Sequence, residues 1–200
     1  MALCVAGALF LSPTLATELG PTDVPGEIDP HSMMTEERDA VFQTGLVAYD
    51  AGDFEAAFTA WLPLAQTGNL AAQRNVAHML RRGLGVEKDL ERAAFFYRRA
   101  ADYGLPGAQA NLGLLYLAGD GVPKDEAKAV EWLSQATYSG HTGATFELAR
   151  LAELGVGMTA NQELALKLYA RAAAAGHRGA IVYLESLTSQ RARPSLPLGE

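Results

Sequence analysis

His141 and His177 stand 36 residues apart, each directly after a glycine, in Gly140-His141-Thr142-Gly143 and Gly176-His177-Arg178-Gly179. Histidine is the commonest metal ligand, so two histidines at matched positions raise zinc binding as a first reading. The same 36-residue step separates Gly68, Gly104, Gly140 and Gly176. Matched points on stacked helical hairpins lie on the order of 10 Å apart, about one layer of helices. Zinc ligands sit about 2 Å from their ion. One ion cannot bridge such a pair, and a turn role suits both histidines better. No metal site is expected. His78, with Arg74 and Arg81 near it in sequence, fits a surface role better than catalysis.

Phosphate chemistry is the second candidate. Gly83/Gly85, Gly119/Gly121 and Gly155/Gly157 form three Gly-x-Gly pairs on the same 36-residue step. A dinucleotide fingerprint needs a strand before it and a third glycine, and here Lys88, Lys124 and Ala160 hold that third place. The pairs follow helical stretches, where glycine ends a helix by taking the left-handed conformation. No cofactor is expected. Gly-x-Ser-x-Gly, Ser-x-x-Lys and His-Glu-x-x-His are all absent, and the chain reads as a non-enzyme. The net charge of −7 argues against nucleic acid, since phosphate binding needs a basic footprint.

The elements that carry these residues follow from the period. Each unit has a first helix after its glycine turn: Ala72–Arg82, Ala108–Ala118 and Ala144–Leu154. A Gly-x-Gly loop ends it. A second helix opens at Asp89, Asp125 or Asn161, short polar residues that can cap free N–H groups. Small residues recur where helices approach closely (Ala57, Ala93, Ala129, Ala165 and Ala77, Gly113, Ala149), with bulky ones beside them (Phe96, Trp132, Leu168 and Trp61, Tyr97, Leu133, Tyr169). Large-beside-small alternation at helical spacing is how stacked hairpins interdigitate. The first unit is short at its loop, Tyr49-Asp50-Ala51-Gly52-Asp53. The last helix, Ala180–Leu187, places Glu185 at a core position and so reads as a cap. A fixed period with two helices per unit is a solenoid, expected over residues 33–188.

The flanks differ in composition. Residues 1–16 carry an apolar run, Ala2 to Leu11, then Ser12-Pro13 and small residues, the order of a signal peptide cut after Ala16. The run is shorter than the ~20 apolar residues that span a bilayer, so membrane contact is expected only through this segment before cleavage. Its only cysteine, Cys4, lies within it, which excludes a disulfide framework. Residues 17–32 read as an acidic flexible linker and 189–200 as a disordered tail. Residues 18–39 hold seven acids (Glu18, Asp23, Glu27, Asp29, Glu36, Glu37, Asp39) and one base, Arg38. Residues 74–99 hold seven bases against three acids, so the acidic segment is of the right sign to fold back on the second unit.

The string Ala108-Gln109-Ala110-Asn111-Leu112-Gly113-Leu114-Leu115-Tyr116-Leu117-Ala118-Gly119-Asp120-Gly121-Val122-Pro123-Lys124-Asp125, with Lys128, Ala129 and Trp132 after it, resembles the Sel-one-like repeat, a relative of the tetratricopeptide repeat. The resemblance runs over about residues 40–187, and Gly52-Asp53-Phe54-Glu55-Ala56-Ala57 looks more like an ordinary tetratricopeptide unit. It implies an all-α fold: a right-handed α/α superhelix of about four helix-turn-helix repeats with a C-terminal capping helix. It implies an adaptor for a protein or peptide partner, in bacteria often exported and engaged in envelope signalling or assembly. A periplasmic or secreted location is therefore expected. The rivals are an envelope hydrolase of β-lactamase type and a cytosolic adaptor. The relatives linked to β-lactams carry paired cysteines, which this chain lacks.

The resemblance also implies groove residues, matched position by position: Arg74, His78 and Arg81; Ala110, Leu114 and Leu117; Phe146, Arg150 and Glu153; and in the first unit Gln43, Val47 and Asp50. That gives a basic entrance, an apolar middle of Leu114, Leu117 and Phe146, and a mixed far side. The apolar three either line an open groove or complete the core between neighbouring helices.

Overall fold

A computed structural model describes residues 35–191. The expected signal segment 1–16, the acidic segment 17–32 and residues 192–200 of the expected tail lie outside them. The described residues form nine helices and no strand. They are α1 (Thr35–Asp50), α2 (Phe54–Gln66), α3 (Leu70–Arg82), α4 (Leu90–Asp102), α5 (Pro106–Ala118), α6 (Glu126–Tyr138), α7 (Thr142–Leu154), α8 (Gln162–Ala174) and α9 (Arg178–Arg191). Each helix packs chiefly on its neighbours in chain order. The result is four helical hairpins and a last single helix, an all-α repeat superhelix.

Local sequence sets each boundary. Asp89, Asp125 and Asn161 cap α4, α6 and α8, accepting hydrogen bonds from the backbone N–H of Arg92, Lys128 and Leu164 at 2.9, 3.0 and 2.9 Å. Gly83, Gly119 and Gly155 end α3, α5 and α7 in the left-handed conformation. Helices α3, α5 and α7 start two residues earlier than the sequence reading placed them. Asn69, Leu105 and His141 already serve as caps, so the helix opens right after them. Pro106 eases this in α5, since its fixed φ suits the first helical turn. Helix α9 also outruns its expected span, Ala180–Leu187, at both ends.

The second glycine of each Gly-x-Gly pair holds one hairpin against the previous one. A Cβ on Gly121 would lie 2.0 Å from the Leu90 carbonyl oxygen. The equivalent on Gly157 would lie 2.2 Å from the Glu126 oxygen, and on Gly85 2.2 Å from the Phe54 carbonyl carbon. These loops are packed against backbone, which explains the glycines without a phosphate.

The core runs between hairpins. Ala57, Ala93, Ala129 and Ala165 are fully buried, and Trp61, Tyr97, Leu133 and Tyr169 beside them are buried too. Gly113 is small for a visible reason: a Cβ there would meet Leu133 Cγ at 2.8 Å. Two buried glutamines add polar ties, Gln73 Nε2 donating to the Ala65 carbonyl at 3.0 Å and Gln109 Nε2 to the Ala101 carbonyl at 3.3 Å. In the next unit Thr145 holds that place, and the Arg171 guanidinium takes over, donating to the Thr137 carbonyl at 2.9 Å. Glu185 is exposed on α9.

Candidate functional site

The first helices of the hairpins, α1, α3, α5 and α7, share one face that carries two adjoining hollows. One, of about 300 Å³, lies between α1, α3 and α5 and is lined by Asp50, Arg74, Asn75, His78 and Asn111 with Trp61 beneath. The other, of about 280 Å³, lies between α3, α5 and α7 and is lined by Arg74, Asn111, Leu114, His141, Glu147 and His177. Arg74 joins them. It lies flat across α5 because residue 107 is glycine: a Cβ there would come within 3.0 Å of Arg74 Nε.

Helix α3 makes this face cationic. It carries Arg74, Arg81 and Arg82 and no acidic residue. Burial lowers the pKa of His78, and the Arg81, Arg82 and Arg74 charges lower it further. His141 is shifted the same way, by burial first and then by Arg74. Both shifts favour the neutral imidazole. Arg81 Nε and the Tyr97 hydroxyl are both buried. Burial pushes the Tyr97 phenol up, and the Arg81 charge opposes the shift.

The two matched histidines are helix caps. His141 Nδ1 accepts from the Ala144 N–H at 3.0 Å, and His177 Nδ1 from the Ala180 N–H at 3.3 Å. That is the job Asn69 does for α3, where its side chain accepts from the Ala72 N–H at 2.8 Å. Among the described residues no group of three or more His, Cys, Asp or Glu side chains could hold a metal ion.

The expected groove residues part company. Arg74, His78 and Asp50 come together in the first hollow, and Ala110 and Leu114 lie in the second. Gln43 and Val47 are exposed on α1, outside both. Leu117 packs against the core. Phe146 is held under the last turn, stacked on His177 with ring centres 4.3 Å apart and edge-on to Tyr169 at 5.6 Å. So the open apolar middle is Leu114, and Phe146 acts as core. Arg150 is exposed and pairs with Glu147 at 3.0 Å. Glu153 ties the last helices together, accepting from the Tyr169 hydroxyl at 2.8 Å and from the Tyr183 hydroxyl. That carboxylate and burial raise the Tyr169 and Tyr183 phenols above the ordinary value.

Sequence reasoning missed Asn75, Asn111 and Glu147, which line the hollows. Their signal was available: a polar residue recurs every 36 positions, directly before the buried Val76, Leu112 and Leu148. Among the described residues no helix is long and apolar enough to cross a membrane.

A family model described as the Sel1 repeat matches residues 70–104, 106–141 and 143–177, each running from the start of one hairpin to the next turn. A Sel1 repeat protein from Oxalobacter formigenes is 37% identical, with a TM-score of 0.65, over 70% of this chain and 57% of that one. A protective antigen of uropathogenic Escherichia coli with an SLR fold is 27% identical, with a TM-score of 0.71, over 76% of this chain and 33% of that one. This chain thus spans little more than half the length of the first and a third of the second. The cysteine-rich protein B of Helicobacter pylori shares the fold at 18% identity, with a TM-score of 0.54, over 64% of this chain and 96% of that one. No curated protein matches the chain.

Proposed function

This chain belongs to the Sel1 repeat family, whose members are generally protein-interaction scaffolds and typically non-catalytic, and on that premise we propose that it holds a protein or peptide partner on the face formed by α1, α3, α5 and α7. The observation that carries the reading is the pair of hollows joined by Arg74, with His78, Asn75 and Leu114 open to a ligand. They are small, shallow and side by side along successive hairpins. Such a surface receives successive side chains of an extended or helical segment, whereas a small-molecule site buries most of its ligand. Arg74 and the charge of α3 favour an acidic end on that segment, and Leu114 an apolar residue next to it.

The same reading has the chain exported after removal of residues 1–16 and working in the periplasm, in envelope signalling or assembly. The support is the apolar run from Ala2 to Leu11 followed by Ser12-Pro13 and Ala16. A processed chain beginning at Thr17 in the periplasmic fraction is the expected product. A full-length chain confined to the cytosol would remove this part of the proposal.

The test of the binding face is affinity capture from a periplasmic extract with three baits: wild type, Arg74→Glu/Leu114→Ser, and Lys167→Glu on the outer helix α8. Circular dichroism first confirms that all three are folded. A partner held by wild type and Lys167→Glu but lost by the double variant supports the reading. A partner held equally by all three moves the site off this face.

A further inference from the structure

Helix α3 is the one first helix that pairs several arginines with no carboxylate. Among the described residues the ion pairs use Arg92, Lys124, Lys128, Arg150 and Lys167, and none reaches Arg74, Arg81 or Arg82. Three cationic side chains and His78 lie along one helix of 13 residues. The one carboxylate lining the first hollow is Asp50. A surface so charged, on the face proposed to bind the partner, calls for an anionic occupant.

The chain carries such an occupant immediately before α1. Residues 18–34 contain Glu18, Asp23, Glu27 and Asp29 and neither lysine nor arginine. Their point of attachment is close by. The Arg38 guanidinium donates to Thr67 Oγ1 at 3.3 Å, which sets the first turn of α1 beside the connection between α2 and α3. Helix α3 opens at Leu70, three residues beyond Thr67. Seventeen residues at about 3.3 Å each can span some ~56 Å, whereas α3 is about 20 Å long. Reach is therefore ample. A tether of this length also keeps the segment at a local concentration on the order of millimolar, so individually weak exposed pairs suffice.

We infer that the cationic face of α3, around Arg74, His78, Arg81 and Arg82, is a docking site for an acidic peptide segment, and that its resident occupant is this chain's own residues 18–34. The inference rests on the binding face assigned above and adds its regulation. The segment and a partner therefore compete for the same side chains. A partner with an acidic end then competes by charge, and its apolar contact at Leu114 gives it the advantage. Raised salt weakens the resident segment more than a partner with that apolar contact, because screening acts on exposed charge pairs and not on apolar burial.

The test needs no partner, so it can fail while the binding face stands, and the reverse. The full chain with Cys4→Ser and Val24→Cys carries a nitroxide on residue 24, and amide signals are followed by NMR. At about 0.01 M salt, where screening extends to about 30 Å, the label is expected to abolish the signals of His78 to Arg82 in the second half of α3. They return at about 1 M salt, where the screening length is about 3 Å. They also return with Glu18→Gln/Asp23→Asn/Glu27→Gln/Asp29→Asn in the same chain. Unbroadened α3 signals at low salt overturn the inference. So does broadening confined to Val41, Ala56 and Ala60, which line a separate hollow between α1 and α2. A labelled, isotopically silent copy that abolishes these signals in an unlabelled copy assigns the contact to a second chain, and overturns the intramolecular form.

Discussion

Gly121 and Gly140 have the same kind of backbone and opposite surroundings, which makes them a controlled pair. Their φ angles are +65° and +82°, both in the left-handed region that L side chains rarely adopt. A Cβ on Gly140 meets nothing within 4 Å, whereas on Gly121 it would lie 2.0 Å from the Leu90 carbonyl oxygen and 2.3 Å from its carbon. Gly140→Ala therefore carries the left-handed penalty alone, about 1–2 kcal/mol. Gly121→Ala carries the same penalty and must also push backbone apart, an overpacking cost of about 1–3 kcal/mol. For a chain of this size, 1 kcal/mol moves Tm by about 2–4 °C. Expected losses are roughly 2–8 °C for Gly140→Ala, with at least about 2–4 °C more for Gly121→Ala. The assay is thermal unfolding followed by circular dichroism on both variants under one buffer. Equal losses would refute the claim that the second glycine of the pair is fixed by contact between hairpins.

Acid should weaken the fold through its histidines. His78 and His141 have lowered pKa values in the folded chain, so their contribution is complete above the unfolded value of about 6.5 and is lost as pH falls below it. His141→Asn keeps an acceptor for the Ala144 N–H and removes the titration, and its Tm should fall less than that of wild type between about pH 7.5 and pH 5.5. Tyr183→Phe removes one hydroxyl from Glu153 and should cost about 1.5–3 kcal/mol, the range for a bond to a charged group, with faster hydrogen exchange in α9 as the readout. In ultraviolet titration Tyr169 and Tyr183 should ionise above the ordinary tyrosine value, and Glu153→Leu should bring Tyr183 back down. Trp61→Ala should cost about 3–5 kcal/mol, as for other buried aromatics, because Trp61 is almost fully buried and its indole N–H donates to the Phe42 carbonyl at 3.0 Å.

Much of the fold is written in the 36-residue step because each unit solves the same packing problem. Alanine at 93, 129 and 165, a large residue four positions on, and a short polar cap at 89, 125 and 161 each have a local physical cause that sequence alone displays. What the period hides is the use of a position when its residue changes. Arg81, Leu117 and Glu153 are equivalent by number, yet one lies beside the Tyr97 phenol, one joins the core and one bonds two tyrosines. Their roles depend on the residue opposite, which belongs to another helix. Phe146 shows the same limit. An apolar residue on a first helix is groove or core according to what its partner helix and the next turn lay over it, and here Tyr169 and His177 cover it. The early start of α5 and α7 was hidden for a different reason, because leucine and histidine are weak cap signals beside asparagine.

The most direct measurement is site-specific photo-crosslinking in the native host, with a photoreactive residue placed singly at positions on opposite faces. Asn75 and Asn111 line the hollows, whereas Phe95 and Tyr138 are exposed on the second helices. Crosslinks to one protein from positions 75 and 111, and none from 95 and 138, are the predicted result. Crosslinks from positions 95 and 138 alone would place the partner on the other face and contradict the account.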